Sequence, residues 1–340
     1  MTGAHPGAPA AILLAVKLLI LSASDLAQAL PMSSAIDAAE RAYRAVSSGN
    51  ARAPLRTAIP TGDGGTTLLM GASVGGEELA AKIVSFFPGN AAHDLPTVNG
   101  LVIALDPETG APRALLPGAE LTALRTGAAS GIATKVLARE DARVGTVLGA
   151  GAQARTQALA IDTARELEEV RIYARRPEAG HALVDALSGE LRARVVFAES
   201  VAEAVQDAAV ICTATSAREP LLLGEMLEPG AHVNAVGSFR PEMQEFDADA
   251  VSRSHVFVDS VEACLEEAGE LIAALADGVT NRDSWTELGT VLEGGAPGRS
   301  SSEEITLFKS VGLAPQDACA AAAAVEAAVT AGLGRSVDLS

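Results

Sequence analysis

Apolar residues in the first third of the chain fall into short runs separated by glycine, proline and polar residues. A helix capped by Ser24 or Asp25 and a second helix capped by Ser33 or Ser34 are expected before residue 47. After an extended piece at 52–60, four apolar runs bounded by glycine and proline predict strands. These runs lie at 66–71, 79–87, 99–106 and 112–116, so this part is predicted to be an α+β unit.

Helical and strand patterns alternate from residue 120 onward. A helix is predicted over 120–138, where Leu121, Leu124 and Ala128 fall at helical spacing. Such alternation is typical of a parallel sheet with helices on both faces, so the predicted fold class is α/β with a doubly wound sheet. Strands are predicted at 144–148, 170–174, 195–197, 209–213, 232–236 and 256–259, and helices up to 167 and at 201–206, 262–275 and 317–333.

A glycine-rich turn, Gly149-Ala-Gly-Ala-Gln-Ala154, joins the strand predicted at 144–148 to a helix. In this context Gly149 permits the tight turn, Gly151 lets the backbone approach a pyrophosphate, and Ala154 still allows close helix–strand packing. The free N–H groups at the start of the helix favour phosphates. The sequence therefore predicts a dinucleotide site, with a simple glycine-rich turn as the alternative.

The end of the second strand of this unit indicates which dinucleotide would bind. NAD sites usually place an acid there, but this chain has Arg175 and Arg176. A guanidinium group can bind a 2′-phosphate through two parallel hydrogen bonds. The prediction is NADPH, with NADH possible; the alternative is that one or both arginines are simply solvated.

Composition bounds the classes of partner. The chain has 340 residues and a formal net charge of −18, which argues against nucleic acid and anionic membranes as partners. Cys212, Cys264 and Cys319 lie far apart without metal-binding spacing, so buried thiols in a reducing, cytoplasmic compartment and no metal are expected. The apolar stretch at 10–21 is broken by Lys17 and too short to span a membrane. Residues 1–16 are interpreted as a disordered extension or an upstream start, with export as the alternative.

Three basic residues of the first unit lie among apolar neighbours. Lys82 falls within a strand that is otherwise apolar on both faces, Arg125 lies on the helix at 120–138, and Arg56 lies in the extended piece. Lysine and arginine are rarely buried unless they are paired. Either distant acids neutralise these cations, or the cations converge on an anionic ligand.

The chain resembles the ornithine cyclodeaminase/mu-crystallin family from about Leu18 to Leu333. The resemblance is carried by an arginine-containing helix, by the GAGAQA turn and by four further segments. Together these segments are Ala81–Val84, Gly100–Gly110, Leu121–Ser130, Gly149–Ala154, Val233–Ser238 and Glu304–Gly312.

The resemblance implies a Rossmann dinucleotide-binding domain at 126–312 and a substrate-binding and dimerisation domain formed by 17–125 with 313–334. It also implies a homodimer. By position, Arg56, Lys82 and Arg125 match the residues that hold the substrate carboxylate. The residues that match cofactor contacts are Thr97, Arg125, Gly149, Gly151, Ala152, Gln153, Arg175, Arg176, Thr215, Val236, Ser238 and Ser310.

One segment bears on the chemistry. Ornithine cyclodeaminases resemble each other in placing a catalytic aspartate just after the Val-Gly-Ser strand end, whereas this chain has Ser238-Phe239-Arg240-Pro241-Glu242-Met243. This pattern is nearer to mu-crystallin and to bacterial reductases of cyclic ketimines. The resemblance therefore implies NAD(P)H-dependent reduction of Δ1-pyrroline-2-carboxylate to L-proline, or of Δ1-piperideine-2-carboxylate to L-pipecolate.

The expected mechanism is hydride transfer to the C=N carbon of a small cyclic imino acid, with Lys82 and Arg125 as catalytic residues. The proton would come from solvent, from Lys82, or from His93 in the following loop. The alternatives are an ornithine cyclodeaminase, an alanine dehydrogenase, or a non-catalytic protein that binds its ligand in an NADPH-dependent way.

Overall fold

A computed structural model describes residues 17–93 and 95–339, so the extension predicted at 1–16 lies outside the described residues. The strands are β1 (Lys17–Ile20), β2 (Ala51–Arg52), β3 (Thr57–Pro60), β4 (Thr66–Val74), β5 (Glu78–Phe86), β6 (Val98–Leu105), β7 (Pro112–Pro117), β8 (Val144–Leu148), β9 (Glu169–Tyr173), β10 (Arg194–Phe197), β11 (Val210–Thr213), β12 (His232–Ala235), β13 (Ser254–Val258), β14 (Thr286–Glu287), β15 (Ile305–Lys309) and β16 (Arg335–Asp338). The α-helices are α1 (Ala23–Ala29), α2 (Met32–Ser47), α3 (Gly118–Leu137), α4 (Ala152–Ala164), α5 (Pro177–Leu187), α6 (Val201–Val205), α7 (Ala248–Ser252), α8 (Val261–Glu267), α9 (Gly269–Ala276), α10 (Leu288–Leu292) and α11 (Ala314–Ala331).

The first sheet has the strand order β16-β1-β7-β6-β5-β4-β2, and β3 also pairs with β4. Its neighbouring strands are antiparallel except for the parallel pair β1–β7. Helix α11 packs on β4 and β5 and against α2, which buries one face of the sheet. On β5 a charged and an apolar residue occupy the faces opposite to those normally expected. Lys82 is buried, whereas its neighbour Ile83 is 53% exposed on the other face of the sheet.

The second sheet is parallel throughout and has the order β10-β9-β8-β11-β12-β15-β13-β14. The run β10-β9-β8-β11-β12 is the 3-2-1-4-5 order of a doubly wound dinucleotide-binding fold. This sheet and the antiparallel sheet confirm the predicted α/β fold class. Strand β15 comes late in the chain but lies between β12 and β13.

The two sheets are joined through helix α3, which packs against α2 on one side and α4 on the other. Its contact with α4 is close, because a Cβ at Gly127 would lie 2.6 Å from the carbonyl oxygen of Thr156. Gln157 of α4 also donates a hydrogen bond to the carbonyl of Thr126, at 3.3 Å. This contact fixes the helix that carries Arg125 against the helix that begins at the glycine turn.

Three of the predicted helices differ in detail from the structure. The helix predicted at 262–275 is two helices that meet at Ala268, whose φ and ψ are −85° and 88°. The chain bends there because the carbonyl of Met243 packs closely against Gly269, where a Cβ would be only 2.2 Å away. The second helix starts at Met32 after Pro31 at the N-cap, not at Ser33 or Ser34. The first helix is capped by Ser22, not by Ser24 or Asp25, because the Ser22 hydroxyl accepts the backbone N–H of Asp25.

Strands β15 and β16 and helix α5 are absent from the predicted elements. Strand β16 returns to the first sheet and pairs with β1. The domain boundaries, 17–125 with 313–334 and 126–312, stay a prediction. Within residues 17–93 and 95–339, no helix is both long and apolar enough to cross a membrane.

Candidate active site

Lys82 on β5 and Arg125 on α3 meet at one buried carboxylate. The Nζ atom of Lys82 lies 2.7 Å from Oδ2 of Asp317, and Nε of Arg125 lies 3.2 Å from Oδ1 of the same residue. All three side chains are buried. Asp317 lies in the first turn of α11, a helix that also packs on β5. The distant acid expected as one explanation for the buried cations is therefore present.

Arg56 reaches the same place from the loop between β2 and β3. Its Nη2 donates to the carbonyl oxygen of Gly312 at 2.8 Å, and its Nε lies 3.1 Å from Oε1 of Glu267. Gly312 has φ of +86°, and a Cβ there would lie 2.2 Å from Nη1 of Arg125. The three predicted cations thus come together around Gly312 and the start of α11.

Asp259, directly after β13, holds the loop that carries Gly312. Its Oδ2 accepts hydrogen bonds from the Ser310 hydroxyl at 2.9 Å and from the backbone N–H groups of Val311 and Gly312 at 2.8 and 2.7 Å. A carboxylate that accepts three donors fixes the backbone of 310–312. The hydroxyl of Ser310, a predicted cofactor contact, is engaged in this network.

The electrostatics of the cluster favour an anionic ligand. Burial lowers the pKa of Lys82 to about 8; Arg125 and Arg56 add to this effect, and Asp317 opposes it. Burial raises the pKa of the Glu267 carboxyl, while the nearby Arg56 lowers it. Arg56, Lys82 and Arg125 face the carboxylates of Asp317 and Glu267, while the nearby Asp259 carboxylate is occupied by donors of the 310–312 loop. Three cations brought together in this way suit a substrate carboxylate.

The glycine turn has the geometry of a phosphate-binding turn. Gly149 has φ of +133°, and a Cβ there would lie 2.3 Å from the carbonyl oxygen of Ala214. Gly151 is exposed at the N-cap of α4, makes no side-chain cap, and would leave open space around a Cβ. Ala152 is also exposed, and the first N–H groups of α4 have no side-chain cap at Gly151 to accept their hydrogen bonds.

The buried side-chain oxygen of Gln153 has no hydrogen-bond partner among the described residues. Arg175 and Arg176 are exposed immediately after β9. They lie beside the turn, because the backbone N–H of Gly149 donates to the carbonyl of Tyr173 at 2.8 Å. An open helix start and two exposed guanidinium groups at one sheet edge can hold a pyrophosphate and a 2′-phosphate.

Three further predicted cofactor contacts, Thr215, Val236 and Ser238, lie at the carboxyl ends of β11 and β12. The Thr215 hydroxyl donates to Oε1 of Glu245 at 2.8 Å. Ser238 is fully buried, its hydroxyl donates to Oε1 of Glu270 at 2.5 Å, and Nζ of Lys309 donates to its carbonyl at 2.8 Å. The polar groups of Ser238 are therefore engaged within the protein.

The buried network around Ser238 is a feature that the sequence analysis missed. Glu245 accepts from the Thr213 hydroxyl at 2.7 Å and from the backbone N–H of Gly237 at 2.8 Å, and Nζ of Lys309 lies 3.4 Å from Oε2 of Glu270. Burial raises the pKa of Glu245, and Lys309 opposes this effect. The network fixes the backbone at the carboxyl ends of β11 and β12.

Residues that belong to the two sheets or follow their strands come together near Phe86. Thr97, a predicted nicotinamide neighbour, is partly buried, and its carbonyl accepts the backbone N–H of Phe87 at 2.8 Å. The guanidinium carbon of Arg240 lies 4.8 Å from the ring centre of Phe86 at the end of β5. His93, the alternative proton donor, is exposed in the loop that follows.

Asp317 and Glu267 are further functional candidates that the sequence analysis missed. An acid in the first turn of a helix is common, because it interacts favourably with the helix dipole, so Asp317 gave no distinct signal. One feature of the sequence could have indicated Asp317. Together with Gln316 it is a polar residue at the start of a helix that is otherwise rich in alanine.

Fold and site together have the features of a dinucleotide-dependent protein with a separate cluster of three cations. A sequence model of the ornithine cyclodeaminase/mu-crystallin family matches residues 16–332. The chain therefore belongs to the ornithine cyclodeaminase/mu-crystallin family, as the resemblance predicted.

Its relatives include reductases of cyclic imines. A Δ1-pyrroline-2-carboxylate reductase from Bacillus cereus is 38% identical over 325 residues, covering 94% of this chain and 100% of that protein. The solved structure of Thermococcus litoralis Δ1-pyrroline-2-carboxylate reductase in complex with NADH and L-proline is 39% identical, with a TM-score of 0.90, and covers 94% of this chain and 100% of that one. An archaeal alanine dehydrogenase dimer with bound NAD is 32% identical, with a TM-score of 0.87, and covers 95% of this chain and 100% of that one.

Proposed function

We propose that this protein reduces cyclic ketimines with a nicotinamide cofactor, converting Δ1-pyrroline-2-carboxylate to L-proline. Δ1-Piperideine-2-carboxylate, which would give L-pipecolate, is the six-membered counterpart. The observation that carries the proposal is the cluster formed by the partly buried Arg56 with the buried Lys82 and Arg125, on elements that pack against the helix that begins at the glycine turn. The two reductases described above, at 38% and 39% identity, support it.

The residues present fit a nicotinamide dinucleotide. Gly149 and Gly151 provide the tight turn and the open approach to α4, and Arg175 and Arg176 provide cations for a 2′-phosphate. The cofactor would supply the hydride. NADPH is proposed as the preferred form, because no acid stands at the end of β9 and two exposed arginines do.

The cation cluster would hold the substrate carboxylate. Arg125 is fixed by Asp317 and by Oε1 of Gln316 at 3.3 Å, so its guanidinium group has little freedom to turn. Arg56 is fixed in the same way by Gly312 and Glu267. Held groups of this kind orient a bound anion at small entropic cost, and such orientation can lower a barrier by several kcal/mol.

Reduction of the C=N bond also requires a proton on nitrogen, and Lys82 is the proposed donor. Its pKa of about 8 means that the ammonium form is present at neutral pH yet gives up its proton readily. Nζ is also 3.4 Å from the Thr122 hydroxyl, which orients it toward α3. Phe239 and Arg240 follow Ser238 where cyclodeaminases have an aspartate, which favours simple reduction over cyclodeamination.

We also propose that the protein is a cytoplasmic homodimer formed through the outer face of the first sheet. Leu69, Ile83 and Leu101 stand opposite one another on β4, β5 and β6 and are 40%, 53% and 50% exposed. A row of apolar side chains on an open sheet face is typical of a partner interface. The archaeal alanine dehydrogenase, a dimer of the same family, supports this assembly. Three buried cysteines without disulfide bonds fit a reducing compartment.

The test is NADPH oxidation with Δ1-pyrroline-2-carboxylate, followed by absorbance, with Δ1-piperideine-2-carboxylate, pyruvate plus ammonia, and NADH as parallel arms. Ornithine with NAD⁺ tests cyclodeamination through ammonia release. Arg56→Ala is expected to lower kcat/KM about 100-fold or more, because it removes a charge-assisted contact to the carboxylate. Arg52→Ala, on exposed β2 nearby, is the matched control and should leave the rate unchanged. Absence of imine reduction, with activity in another arm, would overturn the proposed substrate.

A further inference from the structure

Asp317 connects two cations that come from different parts of the fold. Lys82 belongs to the first sheet and Arg125 to helix α3, and both reach the carboxylate at 2.7 and 3.2 Å. The start of α11, which carries Asp317, is fixed, because Pro315 lies in its first turn and Oε1 of Gln316 accepts the backbone N–H of Leu313 at 2.8 Å. This arrangement fixes the position of an acid at the centre of the cation cluster.

We propose that Asp317 is a positioning residue: its carboxylate holds the Lys82 ammonium beside Arg125 and keeps that ammonium charged, so that it can donate a proton to the substrate nitrogen. The inference rests on the proposed function and deepens it. Asp317 acts through Lys82 and touches neither substrate nor cofactor in this scheme.

The other charged groups around Lys82 are placed to act differently. Arg125 on α3 and Arg56 in the β2–β3 loop are cations, which disfavour a second positive charge. Glu78 lies on β5 four residues before Lys82, but it lies 3.5 Å from Arg41 of α2 and accepts a hydrogen bond from the Cys319 thiol at 3.4 Å. Tyr43 of α2 accepts a hydrogen bond from Nε2 of Gln316 at 3.0 Å.

Asp317 therefore raises the pKa of Lys82, whereas burial and the two arginines lower it. A buried ammonium loses its proton more easily, and a carboxylate in contact with it reverses this effect. The pKa of Lys82 is about 8 with Asp317 in place, so loss of this carboxylate is expected to lower the pKa to neutral or below. Lys82 would then be mainly a neutral amine at neutral pH, and a neutral amine cannot donate this proton.

The first test measures the Lys82 proton directly, without turnover. The chain has only four lysines, so protein labelled with 13C at the lysine Cε gives few resonances, and Lys82→Met assigns the one from Lys82. The wild-type resonance should titrate near pH 8. In Asp317→Asn the midpoint should fall by about one pH unit or more. Glu78→Gln is the matched control, and its midpoint should stay near the wild-type value.

The second test is the pH dependence of kcat with Δ1-pyrroline-2-carboxylate. A reaction that needs protonated Lys82 slows as the pH rises through the pKa of that lysine, so this limb should move to lower pH in Asp317→Asn, with a loss of about tenfold near pH 8. Asp317→Glu should restore most of the rate. A merely structural role would lower the rate at every pH and leave the limb in place.

Outcomes of the two tests separate the two proposals. A wild-type enzyme with no imine reduction but with the expected Lys82 titration overturns the substrate assignment and leaves the Asp317–Lys82 coupling intact. An unmoved Lys82 midpoint in Asp317→Asn, or an equal shift in Glu78→Gln, overturns the role of Asp317. If Asp317→Asn does not fold, the wild type decides: with aspartate labelled at 13Cγ, the Asp317 resonance must shift at the pH at which Lys82 loses its proton, and a flat response overturns the proposal.

Discussion

Gly149 and Gly151 lie two residues apart in the glycine turn and have opposite surroundings. A side chain at Gly149 would meet the carbonyl of Ala214, and the backbone there has a positive φ, whereas a side chain at Gly151 would meet open space. Gly149→Ala is therefore expected to lower the free energy of unfolding by roughly 2–4 kcal/mol. Gly151→Ala should change it by less than about 0.5 kcal/mol.

The same pair should differ in cofactor binding. Gly151→Ala should fold normally yet raise the dissociation constant for NADPH about tenfold, because a methyl group would stand where a pyrophosphate approaches the start of α4. Denaturant unfolding and fluorescence titration with NADPH measure the two quantities. Normal NADPH affinity in folded Gly151→Ala would show that the phosphates bind elsewhere.

Arg175 and Arg176 are expected to determine the preference for NADPH over NADH. Replacing both with serine should raise KM for NADPH about 10- to 100-fold, since charge-assisted contacts to one exposed phosphate together contribute about 1.5–3 kcal/mol. Both residues are exposed, so stability should stay unchanged. KM for NADH should change less than about threefold, because NADH lacks the 2′-phosphate. An equal rise for both cofactors would contradict the assignment.

At the scale of single residues, the sequence indicates the buried cations Lys82 and Arg125 but not the acid that pairs with them. Lys82 and Arg125 conflict with their apolar neighbours, and that conflict is visible without a structure. Asp317 lies near the other end of the chain, and an aspartate in a first helical turn has an ordinary local explanation. Nothing in the sequence alone brings such distant residues together.

The interface between β12 and β15 contains a buried histidine with a consequence for acid stability. His232 is fully buried and lies 2.9 Å from the Thr306 hydroxyl and 3.1 Å from Oδ1 of Asn234. Burial, and then the nearby Arg299, lower its pKa to about 3. An unfolded chain takes up this proton near pH 6.5 and the folded chain does not. Stability from this group is therefore full above pH 6.5 and is lost by about 1.4 kcal/mol per pH unit on acidification.

The expected outcome is a flatter pH dependence of unfolding in His232→Gln between pH 6.5 and 4, measured by urea denaturation. His93→Gln, at an exposed position, should keep the wild-type slope. Equal slopes in wild type and His232→Gln would show that His232 is already protonated in the folded protein.

The elements that the sequence predicted well are those with a regular pattern and clear limits. Strand β8, predicted at 144–148, begins and ends as expected, and α3 differs by one or two residues at its ends. Strand β16 is mostly exposed and only four residues long, so its pattern carries little information. The break at Ala268 depends on contacts of Gly269 with a distant loop, which no local pattern contains.

For the whole molecule, the exposed row of Leu69, Ile83 and Leu101 predicts that charge on this face separates the subunits. Ile83→Lys should convert a dimer to a monomer in analytical ultracentrifugation, because it would bury an unpaired cation in an apolar interface. The fold should be retained, since the side chain is exposed within one chain. Val329→Lys, 65% exposed on α11, is the control and should stay dimeric. A dimeric Ile83→Lys would place the interface elsewhere.

The position of β15 affects how the chain reaches its folded state during synthesis. Strand β13 leaves the ribosome well before residues 305–309, yet those residues are the ones that join it to β12. Until then, β12 and β13 lack a neighbour on the sides that face each other, and such open edges favour pairing with other chains. The same late segment leads directly into α11, which brings Asp317 to Lys82. Both sheets therefore acquire their final contacts from the last part of the chain to be synthesised. A protein stopped short of residue 305 would have neither a continuous second sheet nor the Asp317 carboxylate beside Lys82 and Arg125.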